Sequence, residues 1–130
     1  METQFQLKAV KLDAEIQQCW EIALLLRPCL DREKWFSTVY RMIKTEKYRI
    51  AGIFDQDTLI AFAGFREMSS LRAGNILYID DLCTLESYRS NGLATILLNH
   101  INSLAVADNK DAVVLDTGFS NATAHKLYLN

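Results

Sequence analysis

The segment richest in reactive and ligand-binding residue types runs from residue 78 to residue 94. It reads Tyr78-Ile79-Asp80-Asp81-Leu82-Cys83-Thr84, then Leu85-Glu86-Ser87-Tyr88, then Arg89-Ser90-Asn91-Gly92-Leu93-Ala94. A β-rich run is followed by a turn of small polar residues and then by an amphipathic pattern. Such a turn leaves main-chain N–H groups unpaired at a helix N-terminus, where they and the helix dipole together bind phosphate. Gly92 lets the backbone approach an anion and tolerates positive φ. Ala94 is too small to block that approach, and Arg89 can add a charge-assisted bond. The same spacing also describes an ordinary strand-to-helix connection with a tight glycine turn. It is neither a dinucleotide fingerprint nor a Walker A loop, because G-x-G-x-x-G and G-K-[ST] are both absent.

Other reactive side chains carry less. His100 falls on the apolar stripe of the helix after Gly92 and reads as a packed residue, and His125 reads as a surface residue. Cys19, Cys29 and Cys83 are scattered, odd in number and without a C-x-x-C pair, as expected of thiols in a reducing compartment. Cys83 has no evident activating base, so a covalent acyl-cysteine is not expected. No metal is expected.

The elements that must position this segment follow from periodicity. Residues 5–10 alternate as a short first strand. Asp13 is the expected N-cap of a helix carrying Ile16, Cys19, Trp20, Ala23 and Leu24 at helical spacing, ended near Arg27 by Pro28. Asp31 is the expected cap of a second helix, with a stripe of Trp35, Phe36, Val39, Tyr40 and Ile43. Residues 48–54 and 58–66 are β-rich and joined by Asp55-Gln56-Asp57, an antiparallel hairpin. Residues 68–74 read as a second connection and residues 75–84 as the next strand. The helix from Gly92 carries Leu93, Ile96, Leu97, Ile101 and Leu104. Residues 112–115 form a short continuous apolar run, as in an inner parallel strand, and Asn121 is the expected cap of a last helix through Tyr128. The order β-α-α-β-β-β-α-β-α predicts an α/β (α+β) domain: a mixed, mostly antiparallel central sheet with helices on both faces.

Composition bounds the rest. A chain of 130 residues, half of them hydrophobic, makes one domain with one core. The net charge of −2 shows none of the basic excess usual in nucleic-acid binders. No apolar run approaches the roughly 20 residues that span a bilayer, and no signal-peptide pattern opens the sequence. The cytoplasm is the expected compartment.

Arg89-x-x-Gly92-x-Ala94 resembles the Q/R-x-x-G-x-G/A signature of the GNAT (GCN5-related) N-acetyltransferases. Residues 79–84 look like that family's fourth strand. Residues 116–128, with Asn121, Ala124 and Tyr128 in order, look like the end of its fifth strand and its fourth helix. The element order agrees from Phe5 onward, so the resemblance covers essentially the whole chain. It implies acetyl-CoA as co-substrate, its pyrophosphate held by main-chain amides of Arg89, Ser90, Asn91, Gly92, Leu93, Ala94 and Thr95. Leu82, Cys83 and Thr84 would bind the pantetheine arm like an added strand. A bulge in that strand would splay it from the fifth and open a slot. Asn121 would contact the CoA arm, and Tyr128 would be the general acid.

The implied reaction is direct attack of a primary amine, of a small molecule or a protein, on the thioester in a ternary complex. A main-chain N–H near Leu82 would stabilise the oxyanion. A phenol of pKa about 10 can protonate a thiolate of pKa about 8.5 within hydrogen-bond reach. The ammonium must first lose a proton, and Asp80 or Asp81 can accept it, through water for an Asp of ordinary pKa about 4. Strand alternation turns the two carboxylates to opposite faces unless a bulge spoils the parity; Asp80 matches the family's position better, and Glu67 is a weaker candidate. The family continues beyond its acid into two more strands, whereas this sequence stops at Asn130. A C-terminally truncated domain is therefore expected, with an unpaired fifth-strand edge open to a second copy. Two alternatives follow: an acyl-CoA-binding regulatory module without turnover, and a structural domain used for oligomer contacts.

Overall fold

The computed structural model describes residues 5–116 and, through their backbone, residues 125–129. The elements are β1 (Phe5–Ala9), α1 (Asp13–Leu26), α2 (Arg32–Thr45), β2 (Arg49–Asp55), β3 (Thr58–Ser70), β4 (Gly74–Thr84), a 3₁₀ turn at Glu86–Tyr88, α3 (Leu93–Ala107), β5 (Ala112–Asp116) and β6 (His125–Leu129). Among the described residues the six strands form one sheet in sequence order. All neighbours are antiparallel except β4 and β5, whose parallel pairing requires the α3 crossover.

The expected mixed sheet with helices on both faces is what the chain builds. Leu93, Leu97, Ile101 and Ala105 recur every four residues on α3 and are fully buried against Ile53, Ala63, Phe65, Leu77, Ile79 and Val113. On the opposite face Ile16, Cys19 and Ile22 of α1 and Val39 of α2 pack on Ile50, Phe54, Leu59 and Phe62. Each fully buried Leu or Ile in these layers stabilises by about 1.5–3 kcal/mol.

Caps fix the helix starts. Asp31 accepts from the Lys34 amide at 3.1 Å, as expected. The α1 cap is Leu12 rather than Asp13. Glu15 Oε1 takes the Lys11 and Leu12 amides at 3.1 and 3.2 Å, and its other oxygen pairs with Lys8, so a residue inside the helix does the capping.

Three expectations change. The hairpin β3–β4 is longer than its Ser- and Gly-containing sequence suggests, with pairing out to Ser70 and Gly74. Residues 125–129 form a strand, not the end of a helix. His125-Lys126-Leu127-Tyr128-Leu129 alternates Leu127 and Leu129 with polar-tipped residues, which suits a strand as well as a helical turn, and the open edge of β5 supplies a template. The β5 edge expected to be bare is therefore paired with β6, which removes the ground for dimerisation through it.

Candidate active site

The loop after β4 is anchored before it reaches α3. The Leu85 amide donates to the Ile60 carbonyl at 2.8 Å, and the Tyr88 hydroxyl donates to Asp55 at 2.8 Å. The Tyr88 ring meets Phe5 edge-on, and the Asn91 side-chain amide donates to the Tyr88 carbonyl at 2.9 Å. Ser90 and Gly92 then turn through φ of 70° and 73°, which brings the chain into α3. The first bond of that helix runs from the Ile96 amide to the Gly92 carbonyl, so the amides of Leu93, Ala94 and Thr95 lie ahead of it. No acidic side chain occupies the first turn. A Cβ at Gly92 would meet nothing within 4 Å, so the open side of the turn admits an anion. These features fit a CoA diphosphate. Arg89, Ser90, Asn91 and Gly92 are all exposed here.

Strand β4 supplies the second half. It pairs with β5 only from Ile76 to Ile79, against Ala112 to Leu115, and runs on to Thr84 paired with β3 alone among the described residues. From Asp80 onward one main-chain edge of β4 has no strand partner among the described residues. Leu82 and Cys83 keep their side chains in the two cores on either face. An extended ligand arm can lie against this edge in the manner of an added strand.

The end of that pairing coincides with a bulge. Gly64 pairs with Asp81 and Phe65 with Ile79, so Asp80 is the extra residue on β4. The bulge undoes the alternation. Asp81 accepts from the Tyr48 hydroxyl at 2.6 Å, and Asp80 Oδ1 accepts from Arg66 at 3.1 Å. Both partners belong to the face that Phe62 and Gly64 share with α1 and α2, so the two carboxylates stand side by side. Arg66 also pairs with Glu46, the C-cap of α2. Burial pushes the Asp80 carboxyl up to about 6 from an ordinary 3.8, against the opposing pull of Arg66 and with a further push from Asp81. Its Oδ2 is buried without a hydrogen-bond partner among the described residues, as is Arg66 Nε. The Tyr48 phenol is held far above its usual range by burial and by Asp81.

The remaining candidates separate clearly. Glu67 is claimed by Lys110 at 2.8 Å and Lys47 at 3.8 Å, and the Lys110 bond keeps it ionised below its usual range. Burial raises the Cys83 thiol to about 11 and leaves it a poor nucleophile. Burial lowers the His100 imidazole, as for a packed residue. Asn121 lies outside the described residues. Tyr128 stands in β6 opposite Val113, itself opposite Leu77, with its side chain outside the described atoms.

Sequence reasoning missed Arg66, Glu46, Tyr48 and Gly64. One signal was present: a lone glycine inside the strand run Phe62-Ala63-Gly64-Phe65 marks a bulge or a close approach. A Cβ at Gly64 would lie 1.6 Å from the Tyr48 hydroxyl, so only glycine lets that phenol cross the sheet to Asp81.

Comparison with known proteins agrees with this fold. The curated "Uncharacterized N-acetyltransferase YhdJ" of Bacillus subtilis (strain 168) is 25% identical over 122 residues, covering 94% of this chain and 86% of that one. Among solved structures, the aminoglycoside N-acetyltransferase AAC(6')-Iy in complex with CoA superposes with a TM-score of 0.80 at 11% identity, over 93% of this chain and 82% of that one. A GNAT family acetyltransferase of Staphylococcus aureus gives 0.76 at 13% identity, over 92% and 91%. At such identities these structures bear on the fold alone. The acetyltransferase (GNAT) family model matches residues 12–130, and with a bulged β4 leading into a glycine-turned helix N-terminus, the chain belongs to that family of acetyl-CoA-dependent N-acetyltransferases.

Proposed function

We propose that this chain transfers the acetyl group of acetyl-CoA to a primary amine by direct attack, with Asp80 receiving the proton that the ammonium must lose. The observation that carries the reading is the coincidence at one point of β4 of three things: the end of its described pairing with β5, the bulge and the acidic pair. The diphosphate would rest on the amides from Arg89 to Thr95, and the pantetheine arm along Leu82, Cys83 and Thr84. That arrangement supports a thioester carbonyl close to the bulge, where β4 amides can donate to the oxyanion.

An amine with pKa about 10 is mostly protonated at neutral pH. A carboxylate pushed up to about 6 narrows the gap to that ammonium and is still ionised at pH 7. Asp81, held by Tyr48, adds negative charge beside it and favours a cationic acceptor. Tyr128 enters on the resemblance alone as the acid that returns a proton to the thiolate. Its register sets it opposite Val113 and, through it, Leu77, so its Cα stands about 16 Å along the strands and about 10 Å across them from Leu82. Tyr128→Phe decides: a fall in kcat of about tenfold or more keeps the assignment, and an unchanged kcat gives the step to water.

The test of the whole reading is release of free CoA from acetyl-CoA in the presence of a panel of primary amines: alkylamines, polyamines, aminoglycosides and lysine peptides. Acceptor-dependent release is expected. Acetyl-CoA binding without release for any amine supports the regulatory module instead.

A further inference from the structure

We propose that Arg66 is a positioning residue for acetyl transfer: anchored by Glu46 at the end of α2, it holds Oδ1 of Asp80 and leaves Oδ2 as the atom that receives the acceptor's proton. The inference rests on Asp80 acting as the base, and goes beyond it by naming what aims that base.

The argument is geometric. Asp80 sits on a bulge, where the ladder does not fix its direction. A side chain there needs an external anchor if it is to present one oxygen reproducibly. Arg66 supplies it at 3.1 Å from β3, and its other terminal nitrogen is taken by Glu46. The guanidinium is thereby pinned at both ends of its fork, one end to α2 and the other to β4. Asp80 is 17% exposed and Arg66 24%, so the pair is partly desolvated and its geometry is held more firmly than that of a surface ion pair.

The two atoms the network leaves over are complementary. Arg66 Nε is a buried donor without a partner and Asp80 Oδ2 a buried acceptor without one. Both are shut off from solvent in this fold. Once the acceptor opens this corner, one water can accept from Nε–H, donate to Oδ2 and take a proton from the ammonium as it gives one to Oδ2. The ammonium becomes a neutral amine, the carboxylate becomes a carboxylic acid, and the amine lone pair is free to form the C–N bond as the C–S bond breaks. The charged and titratable groups facing Asp80 are Arg66 of β3, Asp81 of β4, Glu46 beyond α2 and Tyr48 ahead of β2.

The test titrates the Asp80 carboxyl carbon by NMR in the ligand-free protein and follows turnover with acetyl-CoA and the best amine of the panel. Arg66→Gln should raise the Asp80 midpoint by about one unit, since an attracting charge is lost. It should lower kcat about tenfold or more while leaving the KM for acetyl-CoA within about twofold, as misaiming a base does. Arg66→Lys, which keeps the charge without the fork, should restore the midpoint but not the full kcat, and carries the test if Arg66→Gln does not fold. Glu46→Gln should lower the midpoint, because a repelling charge is lost, and still lower kcat. An unchanged midpoint and kcat in Arg66→Gln, with the acid limb lost in Asp80→Asn, overturns the role of Arg66 and leaves Asp80 as base. An acid limb that survives in Asp80→Asn overturns the base assignment itself, and this inference with it.

Discussion

Asp80 is the carboxyl group that burial lifts well above its ordinary value. Its carboxyl is raised to about 6 by burial, so the base form is lost as pH falls through that value. The kcat/KM for a primary amine should fall about tenfold per unit below pH 6, and Asp80→Asn should flatten that limb. Stability carries the same signature with its own sign. The folded chain holds the Asp80 proton more tightly than the unfolded one, so the contribution of Asp80 declines as pH rises from about 4 to 6 and is level above. Urea unfolding at pH 4.5 and 7 should show a smaller difference in Asp80→Asn than in the wild type, after the same correction for other groups. Gly64 belongs to the same neighbourhood. Any Cβ there overlaps the Tyr48 hydroxyl, so Gly64→Ala should cost about 1–3 kcal/mol by urea unfolding and release Asp81 from its phenol. Wild-type stability in Gly64→Ala would mean that Tyr48 does not need that space. The acidic pair was legible in the sequence as a pair, but which way each residue faced was not. Parity along a strand holds only without a bulge, and the bulge became visible once β3 and β4 were in register.

At the scale of elements, the loop into α3 and the edge of β4 beyond Ile79 are proposed to do separate work. Gly92→Asp puts a β-carbon on a φ of 73° and a carboxylate where a diphosphate must rest. It should abolish the rise in melting temperature given by acetyl-CoA while lowering the ligand-free melting temperature by only a few degrees, because the positive φ strains a side chain there but Asp tolerates that region and nothing crowds it. Retained stabilisation in that variant would count against the loop. Helix α3 holds its N-terminus in place through its buried stripe, and Leu97→Ala should cost about 2–5 kcal/mol. Most elements were legible because strong periodicity and caps such as Asp31 agree with tertiary packing. Residues 125–129 were not, since five residues fit either period and the pairing partner decided. The start of α1 was misread for a different reason: Asp13 has a good capping side chain, but the bond was made by Glu15 from inside the helix.

At the scale of the whole molecule, the proposed site lies where the described β4–β5 pairing ends. Helices α1 and α2 brace one face and α3 the other, so the bulge of β4 sits in a framework packed on both sides. Strand β6 covers the far edge of β5. A chain ending at residue 116 should expose that edge and elute from size exclusion at a concentration-dependent, larger size than the full chain. Identical elution of the two would show that β6 does not protect it. The family and its fold were legible from the loop motif and the element order; the network that aims Asp80 was not, because Glu46, Tyr48 and Arg66 are scattered in sequence and meet only across the bulge. The measurement that bears most directly on the account is calorimetric titration of the folded chain with acetyl-CoA, run beside Gly92→Asp. Saturable binding near one acetyl-CoA per chain, lost in the variant, is the predicted result. A well-folded wild-type chain that takes up no acetyl-CoA at millimolar concentration would contradict it.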